Sequence, residues 1–189
     1  IFLIKLQENG RSYSAIHSIR GVLRPAFQMA FEDEEIGYNP FNFELAKVLI
    51  NDSVQREALK PREQRLFLNF VKEDRHFSKY YDGISILFKT GLRISEFCGL
   101  TVHDINFDEH TFSVNNQLQR TRKGEYIIVP TKTSAGKRVL PMTKEVEEHF
   151  RNIIKEREKP RIEPMIDGKR GFLYLDKNGN PSVGLHWAH

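Results

Sequence analysis

The sequence predicts a mainly helical α+β protein with a small antiparallel β-sheet, and three observations carry that prediction. Apolar residues recur at three- and four-residue steps over residues 12–36, 61–71, 78–90 and 143–154, which gathers them on one face of an α-helix. Between residues 112 and 140 the pattern changes to period two, with turn residues separating short apolar runs, as half-buried antiparallel strands read. Hydrophobic residues make up 39% of the 189, including 14 Phe, which is enough apolar surface to fold and too much for a disordered chain. The length suits one core of about 100–200 residues, or one domain with part of another, and excludes two complete large domains.

In chain order, Ile16, Ile19, Leu23, Phe27 and Ala30 form the apolar face of the first helix. Pro25 is expected to kink or split it, Gly37 to cap its end, and Asn39-Pro40-Phe41 to turn the chain away. Residues 42–58 lack sustained periodicity and read as a linker, so the domain boundary is placed there: a first domain over 1–41, a linker over 42–55 and a second domain over 56–189. A helix starting with Pro61 in its first turn and Glu63 beside its positive end puts Leu66, Phe67, Phe70 and Val71 on one side. The next helix runs from about Ser78 to Gly91, which breaks it; Arg93 sits in the turn and a short helix begins at Ile94 or Ser95. Strands follow at Phe112–Val114, Tyr126–Val129 and Arg138–Leu140, with Arg122-Lys123-Gly124 as a turn. Thr143 is expected to cap a helix whose buried stripe is Val146, Phe150, Ile153 and Ile154, and Phe172–Leu175 is a last apolar run. The chain begins at Ile1 without a methionine and stops at His189 inside what reads as the start of a helix, so it is expected to be a piece of a longer protein.

Composition excludes several function classes. The mean hydropathy is -0.51 and no apolar run nears the roughly 20 residues of a membrane span. The first ten residues are too short an apolar stretch for a signal peptide, so a cytoplasmic protein is expected. One cysteine, Cys98, rules out an internal disulfide framework, and the seven scattered histidines show no metal-ligand spacing, so no metal is expected. Net charge is +4 with a pI near 9.1, and it is unevenly spread. Residues 1–50 hold five basic and six acidic side chains, leaving 24 of the 29 basic and 19 of the 25 acidic ones to the rest. From Arg120 to Arg138, six basic residues (Arg120, Arg122, Lys123, Lys132, Lys137 and Arg138) face one acid, Glu125. That segment is either a solvated hairpin or a surface that contacts phosphates.

Four features bear on chemistry. Arg93, between a helix-ending Gly91 and a new helix start, reads as a guanidinium fork held beside free backbone N–H groups for a phosphate, or as an ordinary partner of Glu96. Lys132 opens a loop between two strands, where a lysine can reach a ligand held elsewhere and donate a proton, or can simply keep a sheet edge soluble. His17-Ser18-Ile19-Arg20 matches an H-x-x-R pattern, but its place on an amphipathic helix makes it a solvent-facing stretch. His186 and His189 flank Trp187 at helical spacing, and two ligands without a carboxylate or thiolate do not make a metal site.

Three segments, IHSIRGVLRPAFQMAFEDEEIGYNPF, LFKTGLRISEFCGLTVHDINFD and VPTKTSAGKRVLPMT, together resemble the tyrosine recombinases, specifically the phage-type integrases of conjugative transposons, in their order and spacing. The resemblance runs from about Tyr13 to Trp187. It implies that residues 1–41 are the end of a helical core-binding domain that clamps DNA, and that residues 56–189 are the first part of the catalytic domain. Such enzymes cut one DNA strand through a 3'-phosphotyrosyl link and rejoin it to another, as tetramers on two duplexes, without cofactors. By similarity the first catalytic arginine is Arg93 and the hairpin lysine is Lys132, while Arg120, Arg122, Lys123, Lys137 and Arg138 are expected to position the DNA backbone. The family's own H-x-x-R and nucleophilic tyrosine follow the region where this sequence stops. The six tyrosines present, from Tyr13 to Tyr174, all precede that point, so none takes the nucleophile's role. The implied function is integration and excision of a mobile element, acting on double-stranded DNA. The rival implication is a truncated integrase that binds recombination sites without cutting them.

Overall fold

In the computed structural model, which describes residues 1–54, 57–131, 133–157, 159–176 and 178–183, the chain separates into two units, residues 1–58 and 59–189. The first opens with a helix that the sequence pattern did not announce, α1 (Phe2–Glu8), which buries Leu3. Helix α2 (Tyr13–Glu32) starts where the Ser12 side chain accepts a hydrogen bond from the Ala15 amide at 3.3 Å. Of the two outcomes expected of Pro25, splitting does not occur: the helix runs through it. Both Pro25 and Gly21, whose carbonyl loses its helical donor, lie on the exposed face, where the freed oxygen is open to solvent.

The end of α2 also differs from the sequence reading. It stops at Glu32 instead of reaching Gly37, and Glu34 takes the left-handed position at φ 60°. Four successive acids, Glu32–Glu35, sit against the negative end of the helix, which ends it early. The stretch read as a linker folds back: Leu45 and Leu49 join Leu3 and Ile16 in one buried cluster, and Gln7 exchanges two hydrogen bonds with the Ile50 backbone. Only Ile16 of the expected α2 face is fully buried, and Val22, Phe27, Met29 and Phe31 stay exposed.

The second unit begins with α3 (Pro61–Glu73), whose Glu63 carboxylate accepts from the Lys60 amide at 2.8 Å. Of the four apolar residues on its one side only Val71 is covered; Leu66, Phe67 and Phe70 are exposed, with Phe67 meeting Phe88 edge-on. Helix α4 (Tyr81–Thr90) ends at Gly91, which adopts φ +66°, a left-handed conformation that costs glycine little. Helix α5 (Ile94–Cys98) follows directly.

Where the sequence suggested one sheet there are two. Strands β1 (Ile105–Asn106), β2 (Thr111–Val114) and β5 (Arg138–Pro141) form an antiparallel sheet in the order β1-β2-β5, with Phe112 opposite Leu140 and Val114 opposite Arg138. Strands β3 (Asn116–Arg120) and β4 (Tyr126–Pro130) form a separate hairpin. Residues 131–137 therefore link strands of different sheets and do not close a hairpin of their own. Helix α6 (Lys144–Glu156) is capped by the Thr143 side chain as expected, and it buries Val146, Phe150 and Ile153.

The core of this unit joins Ile86, Leu92, Phe97, Phe112, Val114 and Leu173 to that α6 stripe. Helix α6 is tied to α4 by His149 Nδ1 against Asp82 Oδ1 at 2.6 Å and by Lys89 against Glu145 at 2.7 Å. Cys98 lies in a second cluster with Leu118, Phe172 and Val183, where burial pushes its thiol up to about 12, so it stays protonated at neutral pH. Among the described residues no helix is long and apolar enough to cross a membrane.

Candidate active site

The site is built where α4 ends and α5 begins. Arg93 is the residue before α5, with extended backbone, and Glu96 occupies the third helical position. That spacing lets the carboxylate reach back: Glu96 Oε2 accepts from the Arg93 amide at 3.1 Å and Oε1 from Arg93 Nη1 at 3.0 Å. The Arg93 amide is thus consumed by the Glu96 carboxylate. Glu96 is fully buried, whereas 68% of the Arg93 side chain is exposed.

A second guanidinium meets the same carboxylate from across the fold. Arg138 Nη2 donates to Glu96 Oε2 at 2.9 Å, and its Nη1 donates to Glu96 Oε1 at 3.3 Å and to the Gly136 carbonyl at 2.8 Å. Burial, the largest single influence, pushes the Glu96 carboxyl up. The hydrogen bonds from Arg138 and from the Arg93 backbone and side chain together outweigh it and hold Glu96 below the ordinary carboxylate value. One anion lies between two cations, leaving a net charge of +1. Arg138, grouped by sequence with the cations of the DNA surface, is turned inward, with 28% of its side chain exposed.

Lys132 lies outside the described residues, and its neighbours define the segment around it. Thr131 is buried and its hydroxyl donates to the Thr133 carbonyl at 3.1 Å; the Gly136 amide donates to the same carbonyl at 2.9 Å. A Cβ on Gly136 would stand 2.5 Å from the Thr131 Cβ, closer than packed atoms approach, and neither atom has a flexible tail to move aside. Gly136→Ala is therefore expected to open this turn, lower the melting temperature by several degrees, and weaken any reaction that uses Lys132. An unchanged melting temperature and rate in Gly136→Ala would refute that reading of the turn.

The β3–β4 hairpin carries Arg120, Arg122 and Lys123, while Lys137 directly precedes β5. Arg120 Nε donates to the Gly124 carbonyl at 2.9 Å and its guanidinium lies over the Tyr126 ring at 5.5 Å, so it braces the turn while remaining exposed. Arg122, Lys123 and Lys137 are exposed. On the outer side of β4, Asp167 Oδ2 accepts from the Ile128 amide at 2.8 Å and pins the hairpin to the loop after α6.

Other sequence candidates fall away from this centre. Arg20 donates to the backbone carbonyls of Phe41 and Phe43 and lies over the Phe43 ring, which makes it a brace of the first unit. His186, Trp187 and His189 lie outside the described residues. Burial pushes the Tyr174 phenol up, the opposite of what an activated nucleophile needs. Among the described residues, no three His, Cys, Asp or Glu side chains are grouped to hold a metal ion. What the sequence missed is the sharing of Glu96. Its i, i+3 spacing from Arg93 was a local signal, but Arg138 lies 42 residues away and nothing local announces that pairing.

Comparison with known proteins extends this picture. The profile of the Phage integrase family matches residues 57–182. The transposase from transposon Tn916 of Enterococcus faecalis is 38% identical over 181 residues, covering 95% of this chain and 44% of that protein, so the chain spans less than half the length of such a relative. The integrase of transposon Tn1549, solved in complex with transposon right end DNA, superposes with a TM-score of 0.89 at 39% identity, over 97% of this chain and 58% of that one. The lambda integrase tetramer bound to a Holliday junction shares the fold, with a TM-score of 0.58 at 17% identity over 98% of this chain and 47% of that one. The extent of the family match and the 38–39% identity across nearly the whole sequence establish that the chain belongs to the phage integrase family of tyrosine recombinases.

Proposed function

We propose that this chain is the part of a site-specific tyrosine recombinase of a mobile element that grips the scissile phosphate of double-stranded DNA. The observation that carries the reading is Arg93: a permanently charged fork held at its base by a buried carboxylate and left two-thirds exposed. Attack on a phosphodiester builds negative charge on the non-bridging oxygens, and a fixed guanidinium stabilises that charge more than it stabilises the ground state. Lys132 is assigned as the proton donor to the departing 5'-oxygen; Gly136, four residues further on, is anchored to Glu96 through Arg138. In this reading residues 1–41 belong to a core-binding domain and residues 56–189 to the catalytic domain, and the complete enzyme works in the cytoplasm as a homotetramer on DNA.

Arg122, Lys123 and Lys137, exposed on and beside the hairpin, are assigned to backbone phosphates, with Arg120 supporting them. Phosphate contacts release counterions, so Arg122→Ala with Lys123→Ala is expected to weaken binding to all duplex sequences alike and to flatten the salt slope by about 2. Fluorescence anisotropy of this chain on short duplexes over a salt series measures both. Changed sequence preference with an unchanged slope would count against the assignment, and affinity independent of salt would sink the DNA reading altogether.

A further inference from the structure

We infer that Arg138 is a positioning residue that keeps Arg93 available to its ligand, by neutralising Glu96, and that it does not contact DNA itself. The inference deepens the reading above, since it rests on Arg93 being the phosphate-gripping group. Glu96 has no exposed surface, and both of its oxygens are bonded by Arg93 and by Arg138. A buried carboxylate has to be compensated. With Arg138 present it is, and the three charged groups together retain one positive charge, on the exposed Arg93. Were Arg138 neutral, Arg93 would be the one cation left on Glu96 among the described residues, the group would sum to zero, and the guanidinium would be drawn onto the carboxylate.

The geometry separates Arg138 from the phosphate-facing cations. Three of its five N–H groups donate to Glu96 and to the Gly136 carbonyl, and less than a third of its side chain is exposed. Arg122 and Lys123, by contrast, are exposed at the tip of the hairpin. Arg138 also ties Gly136, and with it the turn after Thr131, to the base of α5.

The test uses the 189-residue chain and compares Arg138→Met, Arg138→Met with Glu96→Gln, and Arg93→Ala, each checked by a melting curve. Two readouts are taken. Phenylglyoxal modification of Arg93, followed by mass spectrometry, needs no DNA and reports how tightly the guanidinium is held. In Arg138→Met it is expected to slow about fivefold, the factor an ion pair of ordinary strength imposes. In the double variant, where carboxylate and guanidinium leave together, it is expected to return to the wild-type rate.

The second readout is the salt slope of binding to a short duplex. It is expected to fall by about 0.9 in Arg138→Met, the share of the single phosphate that Arg93 neutralises, and to recover in the double variant. Adding Arg138→Met to Arg93→Ala should lower it no further. A slope that stays low in the double variant, or that falls again on top of Arg93→Ala, means Arg138 touches phosphate and overturns the inference. Unaltered Arg93 reactivity in Arg138→Met overturns it too. Should Arg138→Met unfold, Arg138→Lys serves instead: a point charge cannot hold both carboxylate oxygens and Gly136 together, so Arg93 should slow about twofold, and no slowing refutes the inference. Absence of any DNA binding would defeat the phosphate-gripping reading of this chain and leave the modification rates to decide the role of Arg138.

Discussion

Arg93→Ala is expected to reduce DNA cleavage by the complete recombinase about 10²- to 10³-fold, the usual cost of removing one preorganised charge from a transition state. It should do so with little change in melting temperature. The sequence alone leaves Arg93 open to two roles, gripping a phosphate or pairing with Glu96. The structure makes the pairing real and removes its force as an objection, because Glu96 keeps Arg138 when Arg93 is gone. Arg93→Lys should also be impaired, since an ammonium cannot serve a carboxylate on one side and a phosphate on the other with a planar fork. Single-turnover cleavage beside a melting curve for each variant is the measurement. A folded Arg93→Ala enzyme that cuts at the wild-type rate would remove the strongest residue-level support for this site. If stability and cleavage instead fall together and Arg93→Lys restores both, Arg93 is a structural partner only.

The largest stability effect is expected from Glu96→Ala. Removing one member of a buried ion pair leaves the other charge without compensation, at a cost of about 3 kcal/mol. For a protein of this size that is a drop of about 6–12 °C in melting temperature. Here it leaves two guanidiniums facing each other, and Arg138 is the less able to escape because it is mostly covered. Glu96→Gln should cost less, since the amide oxygen still accepts. Its value is in acid. The folded-state carboxyl is depressed, so its stabilisation is complete above the unfolded value of about 4.3 and is lost as pH falls through the lower folded value. Wild-type stability should therefore decline below about pH 4 more steeply than that of Glu96→Gln. Urea melts at a series of pH values measure this, and parallel acid limbs would mean that Glu96 is not held as the structure indicates.

Local rules determined much of this protein from sequence alone. The Gly91 stop and the Thr143 cap each depend on residues within one helical turn of one another, and the α6 stripe on three- and four-residue steps that the packing then covered. The order of Arg93 and the lysine-bearing segment was legible for the same reason, as short motifs with fixed spacing. Tertiary structure decided the rest. Period two reports that a strand has two faces but not which strand it pairs with, so β3–β4 separated from β1-β2-β5 only when packed. An apolar helical face does not say how much of it will be covered, and Leu66, Phe67 and Phe70 stayed exposed. Charge density along the chain is blind to direction. Arg138 reads like its neighbours Lys137 and Lys132, yet strand pairing with Val114 places it beside a buried carboxylate 42 residues away, and a buried anion outcompetes water for a guanidinium within its reach.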